Sequence, residues 1–301
     1  MSTPLDPGYA RAAALIREAG VEPGDPLTLP LEAARAAQDR YLAFLAQDPP
    51  PVAAVRNFEV EGPCGAFATR VYYPSSKTPL PAIVYVRGGG WWAGSLDTHD
   101  RTMRLLARES GVAVCGVDYH RAPEQHFPTQ ANEVLSAVKW LCDKGSDIGI
   151  DARRLVMCGE SAGANLSVLA ADHLKSEECT TLIGLALFYG NYAMPKPTAR
   201  AYSKWVWSQY LGQDPGEADP AAVPMQADLA GLPPVWLGVG DADPLLDDTV
   251  QFADKLCNAG VQTEVKIYPG LPHGFVMLNR VFDGAADAVR DAARAVQGFM
   301  Q

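Results

Sequence analysis

The sequence Cys-Gly-Glu-Ser-Ala-Gly at residues 158–163 places a potential nucleophile, Ser161, between two glycines. Residues 154–158 form a short apolar run typical of a buried strand, and residues 164–175, rich in Ala and Leu, are typical of a helix. The two glycines would allow a sharp strand-to-helix turn that lifts the Ser161 hydroxyl beside the N–H groups of the helix start. An ordinary turn of small residues has the same composition, so this interpretation needs support from elsewhere in the chain.

A serine hydroxyl is a weak nucleophile until a base takes its proton, and the base in turn needs an acid that orients it. The best candidate base is His273, which lies between Pro and Gly in a loop directly after a predicted strand. The alternative is a loop histidine that only bonds to the backbone. The remaining histidines occupy predicted helices or polar loops: His99, His120, His126 and His173.

The candidate acid is Asp243, in the sequence Gly-Asp-Ala-Asp-Pro-Leu at residues 240–245. This loop also follows a predicted strand, although Asp before Pro is equally typical of a helix start. The order Ser161, Asp243, His273, with every member on a loop after a strand, indicates a Ser-His-Asp triad. Three neighbouring carboxylates are alternatives for the acid: Asp241, Asp247 and Asp248.

A run of three glycines follows Arg87, directly after the predicted strand 82–86. Because glycine has no side chain, the backbone N–H groups of such a loop can approach a ligand closely. Acyl transfer builds an oxyanion in its transition state, and each preorganised N–H donor stabilises it by about 3–4 kcal/mol. We assign this role to the N–H groups of Gly88, Gly89 and Ala162. A phosphate-binding loop is the alternative, but the G-x-G-x-x-G and G-K-[ST] spacings are missing.

The remaining sequence predicts the elements that would position these loops. Residues 1–50 are helical, with one helix from Asp6-Pro7 to Gly20 and another from Leu31 to Leu45. After two strands, 52–60 and 65–73, strands alternate with helices, which indicates a mostly parallel sheet with helices on both faces. The alternating strands are 82–86, 112–117, 154–158, 182–188, 234–239 and 262–268, and the helices are 98–109, 130–144, 164–175, 245–258 and 281–300.

Residues 191–232 interrupt this alternation, because they separate two strands by far more than an ordinary connection. We expect this insertion, which contains a predicted helix at 200–211, and residues 1–50 to form a helical cap. The core would then be residues 51–190 and 233–301, with ligands at the carboxyl edge of the sheet. Several aromatic residues are candidates to line a substrate pocket, although helix-spaced aromatics are more often core: Trp91, Trp92, Trp205, Trp207 and Tyr210.

Composition limits the partners of the chain. A formal net charge of −10 argues against nucleic acid and anionic membranes. No apolar stretch reaches the roughly 18 residues of a membrane span, and residues 1–19 lack the pattern of an export signal. We therefore expect a cytoplasmic protein, with a homodimer as one option for its oligomeric state. No cluster has the spacing of a metal site. The cysteines should be reduced: Cys64, Cys115, Cys142, Cys158, Cys179 and Cys257.

Taken in order, these motifs make the chain similar to the hormone-sensitive-lipase-like family of α/β-hydrolases, the bacterial family IV esterases. The resemblance implies an α/β-hydrolase fold with a helical cap, hydrolysis of carboxylic esters without a cofactor, and Asp243 rather than Asp241 as the triad acid. The matching stretches span about residues 80–280: Gly88-Gly89-Gly90-Trp91, Asp118-Tyr119, Ala122-Pro123-Glu124, Phe127-Pro128, Gly159-Glu160-Ser161-Ala162-Gly163, Gly231-Leu232-Pro233-Pro234, Asp243-Pro244-Leu245 and His273-Gly274-Phe275.

Two departures from the family pattern bear on the site. The family usually has His before the three glycines, where this chain has Arg87, whose guanidinium is larger and always charged. We expect Arg87 to point away from Ser161 and to bond loop backbone or an acid, with Glu124 as the first candidate. The family usually has Asp before the nucleophile, and Glu160 keeps that charge here.

Together these inferences predict a serine esterase for small to medium acyl esters. Ser161 would attack the ester carbonyl, with His273 as general base and Asp243 as its orienting acid. An amide hydrolase of the same fold, such as an arylformamidase, would use the same site and is an alternative. A non-catalytic ligand receptor is another, but plant hormone receptors that resemble the family have lost the triad histidine, which this chain keeps.

Overall fold

Strands and helices alternate along most of the chain in the computed structural model, which describes residues 4–175, 182–217 and 219–301. Cys179 lies outside the described residues. The strands are β1 Ala54–Gly62, β2 Gly65–Tyr73, β3 Leu80–Val86, β4 Ala113–Val117, β5 Ile150–Glu160, β6 Leu182–Phe188, β7 Val235–Gly240 and β8 Thr263–Tyr268. The α-helices are α1 Pro7–Glu18, α2 Leu31–Leu45, α3 Leu96–Ser110, α4 Thr129–Lys144, α5 Ala162–Lys175, α6 Ala201–Leu211, α7 Leu246–Asn258 and α8 Asp283–Phe299. The predicted strands and helices are confirmed, with ends that shift by a few residues.

The strands form one eight-stranded sheet in the order β1-β2-β4-β3-β5-β6-β7-β8. β2 pairs antiparallel with β1 and β4, and from β4 onward in this order all neighbours pair in parallel. The mostly parallel sheet is therefore confirmed. Because parallel strands end at the same edge of a sheet, the loops after β3, β5, β6, β7 and β8 meet on one side of the molecule.

Alternate side chains of the central strands enter two different cores, one on each face of the sheet. On β3, Val84 and Val86 belong to one core, whereas Ile83 and Tyr85 belong to the other. Helices α4, α5 and α7 cover the first face, and α3 and α8 cover the second. Burial on both faces explains why these strands are continuous apolar runs in the sequence.

The two segments expected to form a cap both contact the loop after β3. Arg35 of α2 donates from Nε to the carbonyl oxygen of Trp92 at 2.8 Å and from Nη2 to that of Ala122 at 2.5 Å. From α6, the hydroxyl of Tyr202 lies 3.0 Å from Nε1 of Trp92, which donates to it. We propose the following division: residues 1–50 and 191–232 as cap, and residues 51–190 and 233–301 as core.

None of the helices in the described ranges has both the length and the apolar character needed to cross a bilayer. Cys115 and Cys158 are buried in β4 and β5, as expected for small apolar side chains. Burial raises the pKa of the Cys115 thiol to about 12, so this thiol stays protonated at neutral pH.

Candidate active site

Ser161 occupies the turn between β5 and α5 with a backbone φ of 55°. This left-handed conformation is uncommon for a residue with a side chain and must be held by its surroundings. The N–H of Ser161 donates to the carbonyl oxygen of Phe188 at 3.0 Å. Gly163 allows the close packing of the turn, since a Cβ there would lie 1.9 Å from the carbonyl oxygen of Val86. The sharp strand-to-helix turn predicted for residues 158–163 is thus present.

The structure brings together the three residues that the sequence selected as a triad. Oγ of Ser161 lies 2.9 Å from Nε2 of His273. Nδ1 of His273 lies 2.9 Å and 3.1 Å from the two carboxylate oxygens of Asp243. Since a carboxylate accepts hydrogen bonds, the neutral imidazole carries its proton on Nδ1 and leaves Nε2 free to accept the proton of Ser161.

The buried carboxylate of Asp243 contacts the imidazole and also bonds the loop after β7. Its side chain is fully buried, whereas that of His273 is 35 % exposed. One carboxylate oxygen of Asp243 also accepts a hydrogen bond from the N–H of Leu245 at 2.8 Å. The residue therefore makes both contacts considered from the sequence, one with the imidazole and one with the chain leading into α7.

Asp241, the nearest alternative acid, has a different partner. Its Oδ1 accepts a hydrogen bond from the N–H of Gly270 at 2.6 Å. Asp241 therefore links the loop after β7 to the turn after β8, while Asp243 is the carboxylate that meets His273.

The surroundings of His273 favour its protonated form. Burial by itself lowers the pKa of His273, but the charge and hydrogen bond of Asp243 and the charge of Glu160 outweigh this effect. The pKa of His273 is therefore raised above its ordinary value of 6.5. A raised pKa makes the imidazole a stronger base once it is neutral, which suits proton transfer from a hydroxyl.

The glycine loop after β3 differs from the sequence-based expectation at Gly88. The N–H of Gly88 donates to the carboxylate of Glu160, and a Cβ at Gly88 would lie 2.2 Å from a Glu160 oxygen. This N–H is therefore occupied and not available to a substrate oxygen, so its assignment as an oxyanion donor was wrong. The three glycines look equivalent in the sequence, and only the position of the Glu160 carboxylate distinguishes them.

The neighbouring N–H groups have no such partner. Gly89 and Gly90 have φ values of 100° and 58°, a conformation that favours glycine. No hydrogen bond between described residues uses the N–H of Gly89, Gly90 or Ala162. Ala162 opens α5, where the first N–H groups of a helix lack an internal acceptor. The arrangement leaves Gly89, Gly90 and Ala162 as candidate donors.

Glu160 is a buried carboxylate directly before the nucleophile. Besides the N–H of Gly88, it meets Nε2 of His99 at 3.1 Å, and both side chains are almost fully buried. His99 lies in the first turn of α3, which begins with a capping box between Ser95 and Thr98. His99 was not predicted to belong to the site, because nothing in a single sequence signals a partner 61 positions away.

Arg87 supports the glycine loop, and its acid partner differs from the one first considered. Its guanidinium donates to the carbonyl oxygens of Ala93 at 2.9 Å and Tyr119 at 2.7 Å, and to Asp118 at 2.9 Å. The bonds to loop backbone and to an acid are confirmed, but the choice of Glu124 was wrong. Glu124 is exposed and pairs with Arg35 of α2 instead.

The candidate pocket aromatics form a packed cluster between the glycine loop and α6. Trp91 stacks on Tyr210 at 4.2 Å between ring centroids, and Trp207 meets Trp91 edge-on at 4.9 Å. These three side chains are fully or almost fully buried. Trp205, which is half-buried, packs edge-on against Trp92 at 5.5 Å. Their contact with substrate stays a prediction.

A cleft of about 210 Å³ lies beside this cluster, between the chain after β6 and the start of α7. Trp207 lines it together with Asn191, Met194, Pro244 and Leu245. Nδ2 of Asn191 donates to Oγ of Ser161 at 3.3 Å, so Asn191 is the lining residue that connects the cleft with the nucleophile. Asn191 was not among the predicted site residues, although it lies on a loop after a strand, the same signal that selected His273 and Asp243.

No group of His, Cys, Asp and Glu side chains within the described ranges is arranged to hold a metal ion. The polar groups at Ser161 are instead the His273 imidazole, the Asp243 carboxylate behind it and the first backbone N–H groups of α5. This set can activate a hydroxyl and stabilise an oxyanion, which is the chemistry of acyl transfer.

Comparison with known proteins identifies the class. The family model described as the alpha/beta hydrolase fold matches residues 83–277. The solved esterase of Pyrobaculum calidifontis is 29 % identical, with a TM-score of 0.89 and 99 % of each chain covered. An ester hydrolase from the metagenome of Lake Arreo is 31 % identical, with a TM-score of 0.90 over 98 % of this chain and 99 % of that chain. A bacterial heroin esterase is 26 % identical, with a TM-score of 0.89 over 99 % and 98 %.

The chain belongs to the α/β-hydrolase family, and the predicted fold class is confirmed. Within that family it is an esterase of the hormone-sensitive-lipase-like group, as the order of its motifs predicted.

Proposed function

We propose that the protein is a serine carboxylesterase that hydrolyses small to medium acyl esters through an acyl-enzyme. The observation that carries this proposal is the continuous series of contacts from Ser161 through His273 to the buried Asp243. A hydroxyl aligned with a neutral imidazole, which is in turn oriented by a carboxylate, is the arrangement that activates serine for attack on a carbonyl carbon.

In the proposed reaction, His273 takes the proton of Ser161 as Oγ attacks the ester carbonyl carbon. The N–H groups of Gly89, Gly90 and Ala162 stabilise the oxyanion, in place of the set that included Gly88. The imidazolium then protonates the leaving alcohol. Water, activated by the same imidazole, attacks the acyl-enzyme and releases the acid.

The volume of the cleft supports the proposal that the substrates are small to medium acyl esters. At about 210 Å³ it lies below the roughly 300–1,000 Å³ typical of sites for drug-sized ligands. Its lining combines apolar groups such as Met194 and Trp207 with charged side chains, among them Lys196, Arg200 and Asp248. An acyl chain of a few carbons fits this space better than a long fatty acyl chain.

The decisive experiment measures turnover of p-nitrophenyl esters from acetyl to dodecanoyl, with wild type and Ser161→Ala side by side. We expect the highest kcat/KM for the short chains and no turnover above background for Ser161→Ala. A fluorophosphonate should label the wild-type protein at Ser161. Residual turnover by Ser161→Ala with labelling at another serine would overturn the nucleophile, and a maximum at the longest chains would overturn the substrate class.

A further inference from the structure

The chain after β6 turns back sharply onto the nucleophile. Tyr189, the first residue after the strand, has a φ of 35°, which is uncommon for a bulky residue. Gly190 follows, and a Cβ at this position would lie 2.4 Å from the ring of Tyr192. Because the turn is this tight, Asn191 returns to a position beside Ser161.

Two hydrogen bonds hold the backbone of Asn191 in place. Its N–H donates to the carbonyl oxygen of Ser161 at 3.3 Å, and its own carbonyl oxygen accepts from Nδ2 of Asn165 at 2.9 Å. Asn165 is completely buried, and the same nitrogen also reaches the carbonyl oxygen of Ala222 at 3.2 Å. With its backbone fixed, Asn191 presents Nδ2 to Oγ of Ser161 at 3.3 Å.

The Ser161 hydroxyl can take part in both of its side-chain contacts at once. It donates its proton to Nε2 of His273, which leaves the lone pairs of Oγ available to a donor. The amide of Asn191 is such a donor, and it neither carries a charge nor titrates. We propose that Asn191 is a hydrogen-bond donor to the nucleophilic oxygen and that it accelerates deacylation. The inference rests on the proposed esterase function.

Deacylation changes the charge on Oγ in the direction that this donor favours. Water adds to the acyl carbonyl carbon and gives a proton to His273. The tetrahedral intermediate then collapses: the carbonyl re-forms, the bond from carbon to Oγ breaks with its electron pair going to Oγ, and Oγ takes the proton from Nε2 of His273. During this step an ester oxygen, which accepts hydrogen bonds weakly, becomes an oxygen with developing negative charge, which accepts them strongly.

Acylation gains less from the same donor. In the free enzyme the hydrogen bond from Asn191 to Oγ already exists. Its removal therefore raises the free energies of the ground state and of the acylation transition state together, and the barrier changes little. In the acyl-enzyme this hydrogen bond is weak before deacylation and strong in its transition state, so its removal raises the barrier to deacylation. Loss of the donor should therefore lower kcat, which includes deacylation, more than kcat/KM, which ends with acylation.

The test compares wild type with Asn191→Leu, which keeps the approximate shape of the side chain without its donor. p-Nitrophenyl butyrate is followed by stopped-flow and by steady-state kinetics. We expect kcat to fall about tenfold, as for loss of a hydrogen bond to a charged group, and KM to fall with it. kcat/KM should stay within about threefold. The burst of p-nitrophenol should approach one equivalent per active site, counted by fluorophosphonate labelling.

Two further variants separate the role of the donor from structural damage. Asn191→Gln retains an amide donor and should restore part of kcat. Asn132→Leu, the same substitution on α4, should leave the kinetics unchanged, and thermal unfolding of both leucine variants reports any loss of folded protein. A parallel fall of kcat and kcat/KM without a burst, or an unchanged kcat, would overturn the role of Asn191.

The underlying esterase function has its own readout in the same experiment. A wild-type protein without Ser161-dependent turnover would overturn the esterase function and this inference together. An active wild type with unaltered kinetics in Asn191→Leu would overturn only the inference about Asn191.

Discussion

The proposed triad and the glycine loop are held in place in different ways. Ser161, Asp243 and His273 each follow a strand and are aligned by contacts with one another and with nearby backbone, such as the N–H of Leu245. The three glycines have no side chains and depend on other residues: Arg87 donates to the carbonyl oxygen of Ala93 in the same loop, and Glu160, 72 positions after Gly88, accepts the N–H of Gly88.

This difference predicts two sizes of functional effect. A substitution in the triad removes a group that moves a proton or forms a bond, so the loss should reach several orders of magnitude. A substitution in the supports of the loop only displaces N–H donors, so the loss should stay near that of a weakened oxyanion site. The following predictions test this ranking, from the largest effect to the smallest.

On the triad side, Asp243→Asn should lower kcat by about 10⁴, because an amide cannot hold the imidazole in the tautomer that accepts the Ser161 proton. Asp241→Asn is the matched control and should have a much smaller effect, because the Asp241 carboxylate bonds the N–H of Gly270, whereas His273 is held by Asp243. Steady-state hydrolysis of p-nitrophenyl butyrate measures both. The reverse ranking of the two variants would move the acid to Asp241.

On the loop side, Glu160→Ala should lower kcat by about 10²–10³, the range for loss of an oxyanion donor. The reason is that the peptide of Gly88 loses its acceptor and the N–H groups of Gly89 and Gly90 can drift from the oxyanion. Glu160→Gln keeps an acceptor oxygen and should lose much less. Equal losses in the two variants, measured as kcat on the same ester, would show that the charge of Glu160 matters more than its hydrogen bond to the loop.

Arg87 bonds carbonyl oxygens of the loop and does not contact the proposed N–H donors themselves, so its substitution should lower kcat less than that of Glu160. Arg87→His restores the usual family residue and should keep kcat within about tenfold, or 1.4 kcal/mol of barrier. Arg87→Ala should cost more, because the carbonyl oxygens of Ala93 and Tyr119 lose their shared donor and Asp118 loses its cation. Kinetics on a neutral ester measures both losses. A selective rise of KM for acidic esters in Arg87→His would instead give Arg87 a role in substrate binding.

The smallest effect concerns pH. His273 must be neutral to accept a proton, and its pKa is raised above 6.5, so kcat/KM should rise with pH through an apparent pKa above that value. Glu160 contributes to the increase, so Glu160→Gln should move this acid limb to lower pH. The measurement is a pH profile of kcat/KM for both proteins. A limb that stays in place or moves to higher pH in the variant would contradict the electrostatic role of Glu160.

Much of the fold was predictable because it rests on local patterns. Apolar runs marked the parallel strands, and the period of α2 located that helix from Leu31 to Leu45 without error. The loops that carry Ser161, Asp243 and His273 were found because each follows a strand in a parallel sheet. Asn191 satisfies the same rule, but an amide has no pKa or nucleophilicity to draw attention to it.

What the sequence by itself determined is the class of chemistry, since residue types and their order along the chain specify a nucleophile, a base and an acid at one edge of a sheet. Only the tertiary structure decided which groups face each other there. Glu160 occupies the N–H of Gly88, Asp118 rather than Glu124 receives Arg87, and Asn191 reaches Ser161. The physical reason is that a hydrogen bond depends on distances of a few ångströms between atoms, and these are set by how distant segments pack and not by local sequence.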